Sequence, residues 1–318
     1  MSFAFVFPGQ GSQSVGMLAS LSGTDPVIQS TFDEASAVLG FDLWHLVQEG
    51  PVERLNSTEY TQPAMLAAGI ATARLWSTRG GKDPAVVAGH SLGEFTALVA
   101  AGVLEFPVAI ALVRFRGRAM EEAVPAGTGA MAAVLGLDDA AVEAACLEGA
   151  QGAVVEPVNF NSPGQVVIAG ETAAVNRAIA AAKTRGAKRA VMLPISVPSH
   201  SSLMRKAAER FGQQLAKVEL RPPRLRYISA VDAAVHCEPD DIRALLTRQL
   251  ASPVRWVDTV RAVAATGITQ LIECGPGKVL TGMSKRIDGV SGVSFAALED
   301  PAALETALTA TKGAAHGR

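Results

Sequence analysis

An α/β fold with a mostly parallel sheet, interrupted by an inserted ferredoxin-like subdomain, is what this 318-residue sequence predicts. Three observations carry that expectation. Short β-type runs alternate with longer Ala/Leu-rich segments up to residue 120 and again after residue 198. Residues 129–194 instead read strand, helix, strand, strand, helix, strand, which is the ferredoxin-like order. Composition permits a large core, with 49% of residues hydrophobic and only 18% charged. At about 150 residues per domain the length suggests two units, or one core with an inserted piece.

Taken in order, Phe3–Phe7 is an apolar run closed by Pro8 and reads as the first strand. Residues 25–39 and 63–79 have helical spacing, 85–88 form a strand, and 92–101 form a helix. Residues 105–122 make a further helix that ends at Val124-Pro125, before the breakers Gly127 and Gly129. The boundary belongs there. The inserted unit then takes strands at 130–135, 154–160, 165–169 and 189–193, with helices at 138–147 and 171–184. Its ends lie close together in such a fold, so it can interrupt the core, giving 1–125 with 196–318 as core and 126–195 as subdomain. Helices at 203–215, 240–250 and 257–265 and strands at 225–229 and 270–274 complete the first sheet. The last dozen residues, small and polar, read as a frayed tail.

Charge and cysteine usage exclude several classes. The 28 Lys and Arg against 30 Asp and Glu give a net charge of −2, not the basic footprint of a nucleic-acid binder. Cys146, Cys237 and Cys274 lie far apart with no CxxC pair, which suggests neither a disulfide framework nor a zinc site and fits a reduced, cytoplasmic setting. The first residues lack the basic region of a signal peptide. Apolar stretches last about ten residues, too short to span a membrane. A soluble monomer without metal or cofactor is expected.

Gly89-His90-Ser91-Leu92-Gly93 matches G-x-S-x-G between an apolar run and a helical segment. In that context the serine sits on a strained strand-to-helix turn with its hydroxyl exposed, and the Leu92 N–H can face a developing oxyanion. A serine needs a base to take its proton. His200, in Val197-Pro198-Ser199-His200, lies on a loop leading into a helix and is the candidate, although position alone leaves a helix-capping or packed histidine equally open. His90 on the turn points elsewhere, His316 is in the tail, and His45 and His236 carry no motif. Arg114, Arg116 and Arg118 read by spacing as a solvated helix face, although residues two apart do not share a face and Arg116 can point inward. Gly9-Gln10-Gly11 reads as a turn, and Ser14 at its sixth position removes the dinucleotide fingerprint. Residues 159–165 close a hairpin and form wall, and Gly275-Pro276-Gly277 opens a helix near Lys278.

With Gly9-Gln10-Gly11-Ser12-Gln13, Gly89-His90-Ser91-Leu92-Gly93, Arg116-Gly117, Asn159 through Gln165, Val197-Pro198-Ser199-His200 and Gly275-Pro276-Gly277 in this order, the chain resembles the malonyl-CoA:acyl carrier protein transacylase family over roughly residues 2–300. The resemblance implies a hydrolase-like α/β core with the ferredoxin-like insertion. It also implies malonyl transfer from malonyl-CoA to the phosphopantetheine thiol of acyl carrier protein. Ser91 would be the nucleophile, His200 its base, and the Gln10 and Leu92 N–H groups the oxyanion hole. Arg116 would hold the malonyl carboxylate, and the Gln249 main-chain carbonyl would orient the histidine, making a dyad. Carrier proteins are acidic, so Lys183, Arg185, Lys188, Arg189, Lys285 and Arg286 become candidates for a docking rim. A serine hydrolase on the same core is the rival reading, distinguished by rapid release of free malonate without a carrier.

Overall fold

A computed structural model describes residues 2–125, 127–195 and 197–312. The expected boundary residues 126 and 196, and residues 313–318 with His316, lie outside the described residues. Among those described, the strands are β1 (Phe3–Phe7), β2 (Val86–Gly89), β3 (Gly129–Leu135), β4 (Val155–Ser162), β5 (Gln165–Glu171), β6 (Arg189–Met192), β7 (Arg226–Ile228), β8 (Gln270–Glu273) and β9 (Ser294–Ala297). They form a five-stranded sheet in the order β7-β2-β1-β8-β9 and a four-stranded sheet in the order β4-β5-β3-β6. Every pairing in the first is parallel, and every pairing in the second is antiparallel, as in a ferredoxin-like sheet.

The central strand shows why the large sheet is covered on both faces. Phe3, Phe5 and Phe7 point into one apolar cluster, where Phe3 and Phe5 pack on Trp76 at 5.5 and 5.4 Å between ring centroids. Ala4 and Val6 point into another, with Trp256, Val260 and Val263. Successive residues face opposite sides of a strand, so a strand buried on both faces reads as an unbroken apolar run. In the small sheet, Ala130, Ala132 and Val134 pack on the helices Asp139–Ala150 and Thr172–Thr184. Its other face, with Met131, Val158, Val167 and Ala169, is a separate cluster turned toward the large sheet's strand ends.

Several sequence expectations need correction. The helix expected at 63–79 spans Thr58–Thr78 and carries Pro63 inside it. Its first turn is capped from a neighbour, since Glu121 Oε1 accepts from Ser57 Oγ at 2.7 Å and from the Glu59 N–H at 3.3 Å. A cap supplied by another element leaves no local signature. Leu43–Glu49 and Val52–Asn56 are short helices, and β9 a short edge strand, that periodicity did not assign. The tail expected to fray from about residue 307 is instead helical to Lys312, because Ala307, Leu308 and Thr311 are buried.

Candidate active site

Ser91 is held up by backbone crowding at the end of β2. A Cβ on Gly89 would lie 2.0 Å from the Gly93 carbonyl, and one on Gly93 would lie 2.0 Å from the Phe7 carbonyl oxygen. Only glycine allows the strand, the turn and the helix Gly93–Ala100 to pass this closely. Between the two glycines Ser91 adopts φ 51°, the left-handed region, as a sharp strand-to-helix turn requires. The loop at Gly9 lies against this turn, where a Cβ would meet the His90 carbonyl oxygen at 2.5 Å. Gln10 and Leu92 line the same cavity as Ser91 and His200. Among the described residues neither of their backbone N–H groups has a hydrogen-bond partner.

His200 comes from far along the chain yet accepts from Ser91 Oγ at 2.7 Å through Nε2. Its Nδ1 lies 2.9 Å from the Gln249 carbonyl and 3.1 Å from the Ser252 carbonyl. Carbonyls only accept, so Nδ1 carries the proton and Nε2 is the free base. No carboxylate touches the ring among the described residues. The residue is 3% exposed with φ 68°, and its N–H donates to the Leu250 carbonyl at 3.0 Å. Burial, then the nearby Arg116 charge, push its pKa down to about 3, so the imidazole is neutral at neutral pH.

Arg116 is 1% exposed, not part of a solvated face. A Cβ on Gly117 would lie 2.5 Å from the Thr58 carbonyl oxygen, so the helix Phe106–Glu121 packs tightly there and turns Arg116 inward. Arg114 pairs outward with Glu59 at 2.9 Å, and Arg118 lies 4.0 Å from Glu122. One Arg116 terminal nitrogen donates to Gln62 Oε1 at 3.0 Å; the other donates to Gln249 Oε1 at 2.9 Å and lies 3.5 Å from Ser91 Oγ. The Nε is buried without a partner among the described residues. Burial lowers this guanidinium to about pKa 10, still charged at neutral pH, with Glu94 opposing the shift.

These groups line a cavity of about 420 Å³. Met131, Val167 and Leu193 form its roof from the small sheet, with Asn159, Asn161 and Gln165 as wall. His90 also borders it, bound to Asn161 Oδ1 at 2.9 Å and packed on Trp256 rather than on Ser91. The helix Val279–Ser284 contributes Val279, Leu280 and Met283. Among the described residues no cluster of His, Cys, Asp and Glu is gathered as for a metal ion, and no helix is long and apolar enough to cross a membrane.

Comparison with known proteins points the same way. The acyl transferase domain family matches residues 4–298. The malonyl CoA-acyl carrier protein transacylase of Escherichia coli strain K12 is 56% identical over 306 residues, 96% of this chain and 98% of that protein. The chain belongs to the malonyl CoA-acyl carrier protein transacylases. The Bacillus subtilis transacylase is 43% identical over 97% of both chains. A solved type II PKS acyl-carrier protein in complex with its malonyl-transacylase superposes with TM-score 0.95 at 54% identity, covering 98% of this chain and 100% of that one. An acyl carrier protein S-malonyltransferase from Vibrio cholerae gives TM-score 0.93 at 55% identity, covering 96% and 100%. As a transacylase the enzyme is an acyltransferase with a hydrolase-like α/β core.

Sequence reasoning about this transacylase passed over Gln62, Glu94, Tyr227, Ser252 and the Gln249 side chain. Two of them carry a legible signal. Glu94 interrupts an apolar run and Gln62 stands just before one, and a polar side chain that a helix carries into a core must find partners there.

Proposed function

We propose that this transacylase moves malonyl from malonyl-CoA to the phosphopantetheine thiol of an acyl carrier protein in two half-reactions through a malonyl ester of Ser91. In the first, Ser91 Oγ bonds to the thioester carbonyl carbon while its proton passes to His200 Nε2. The carbon–sulfur bond then breaks, and His200 returns the proton to the departing CoA thiol. In the second, the carrier thiol, with a pKa of about 8.5 when free, yields its proton to the same imidazole and attacks the ester carbon; the bond from that carbon to Ser91 Oγ then breaks, and His200 returns the proton to Ser91. The Gln10 and Leu92 N–H groups receive the oxyanion, a role supported by their lack of other partners among the described residues. The Gln249 carbonyl keeps the imidazole in the tautomer that accepts from Ser91.

The observation that carries this reading is a buried, charged guanidinium that lines the cavity with one terminal nitrogen 3.5 Å from Ser91 Oγ. A carboxylate pairs with such a guanidinium through charge-assisted hydrogen bonds. An acetyl group offers it no carboxylate, so a charge-assisted bond of about 1.5–3 kcal/mol favours malonyl by roughly ten- to hundredfold. A seated carboxylate also offsets the Arg116 charge that lowers His200, so the base strengthens when the cognate acyl group is in place.

We place the division of the chain at 1–125 with 196–318, and 126–195, which the separate apolar clusters support. The enzyme acts as a cytoplasmic monomer. For the carrier, Arg286 is the best-placed cation of the rim, because it donates to Gln165 at the cavity wall, whereas Arg185 pairs with Glu148 at 2.7 Å. Intact-protein mass spectrometry tests the reading. Malonyl-CoA alone should leave one malonyl adduct on Ser91, absent in Ser91→Ala, that persists until holo carrier removes it. Release of malonate without carrier would identify a hydrolase instead.

A further inference from the structure

Behind the dyad lies a buried carboxylate that the proposed chemistry does not use. Glu94 is three residues after Ser91, on the helix Gly93–Ala100, and is 0% exposed. The Tyr227 hydroxyl and, at 3.2 Å, the Ala230 N–H donate to its Oε1, and Gln249 Nε2 donates to its Oε2. The same Gln249 amide donates to the Ser91 carbonyl at 3.1 Å and accepts from Arg116 at 2.9 Å.

Donor and acceptor accounting fixes this network in one orientation. Arg116 can only donate, so it requires the amide oxygen of Gln249. The Ser91 carbonyl can only accept, so it requires the amide nitrogen. That nitrogen must therefore face Glu94, which accepts from all three of its neighbours. Burial raises the Glu94 pKa, and hydrogen bonds from Ser229, Tyr227, Gln249 and the Ala230 backbone oppose that shift. Glu94 is also the carboxylate whose charge supports the buried Arg116.

We infer that Glu94 is a positioning residue for acyl-group selection, clamping the Gln249 amide so that its oxygen holds Arg116 and its nitrogen holds the turn that carries Ser91. The inference rests on the reading of Arg116 as the carboxylate site. In Glu94→Gln the shape is kept but one acceptor becomes a donor. With its oxygen retained by Tyr227 and Ala230, the new amide nitrogen opposes Gln249 Nε2. The Gln249 amide then turns over, presenting a donor to Arg116 and an acceptor to the Ser91 carbonyl.

The test compares Ser91 acylation by malonyl-CoA and by acetyl-CoA in the full chain. Glu94→Gln should lower the malonyl-to-acetyl ratio of kcat/KM roughly tenfold, mainly through the malonyl-CoA KM, the scale of one lost hydrogen bond to a charged group. Tyr227→Phe, which removes a single donor, should shift the ratio the same way by about threefold and guards against a Glu94 variant that does not fold. Because the effect runs through one amide, Glu94→Gln in a Gln249→Ala background should change the ratio by less than about twofold. Equal losses for both acyl groups, or additive effects in that background, overturn the inference. If Arg116→Ala leaves the ratio unchanged, both readings fail; if Arg116→Ala alters it and neither Glu94→Gln nor Tyr227→Phe does, only this one fails.

Discussion

The floor of the cavity, from the large parallel sheet, sets Ser91, His200 and Arg116 in a hydrogen-bonded lattice completed by Gln62, Glu94 and Gln249. The roof, from the antiparallel sheet, presents Met131, Val167 and Leu193, which belong to an apolar cluster of its own. Two backbone bonds join them, from the Phe160 N–H to the Val254 carbonyl at 2.9 Å and from the Val254 N–H to the Val158 carbonyl at 2.8 Å. The segment that receives the roof thus follows directly on the one whose carbonyls orient His200. The difference teaches where polar atoms are worth burying. A buried charge beside Ser91 needs polar partners, here Gln62 and Gln249 on the two terminal nitrogens of Arg116, since an unpaired buried polar group is costly. A surface that borders a long thioester arm needs only shape and apolar cover.

Breaking the floor should cost most. Arg116→Ala should lower kcat/KM for malonyl-CoA about ten- to hundredfold while acetyl-CoA is unchanged or improved, measured by acyl-enzyme formation. A uniform loss would assign Arg116 to structure alone. Next comes the pH profile, which reports how far burial in the floor changes the base. The proposed base acts as neutral His200, whose pKa is lowered to about 3. An ordinary imidazole of pKa about 6.5 would lose roughly tenfold of its neutral form at pH 5.5. Here kcat/KM for malonyl-CoA should stay nearly flat between pH 7.5 and 5.5 and fall only at lower pH. A midpoint near 6.5 would show that the site is open to water. Smallest is the rim beside the roof. Arg286→Glu should raise the carrier KM a few-fold at low salt and much less at high salt, leaving malonyl-CoA kinetics unchanged.

Legibility from sequence followed the range of the interaction. The turn around Ser91 could be read because its two glycines and flanking runs are neighbours in the chain. The inward direction of Arg116 could not, since it depends on Gly117 meeting Thr58 across two helices. His200 looked undecided by position, and only the 2.7 Å contact with Ser91 makes it a base candidate in space. Pro63 misled the placement of a helix start because the true cap, Glu121, belongs to another helix.

Period, turn chemistry and residue spacing were therefore enough for the alternating α/β core, the inserted four-stranded unit and the strained serine. These are local properties, set by backbone sterics and by which face of a strand or helix is apolar. The polar lattice that links Gln62, Glu94, Arg116, Tyr227 and Gln249 emerged only in three dimensions. Its members are scattered over the chain, and the pairing of buried donors with acceptors depends on which elements the packed core brings face to face.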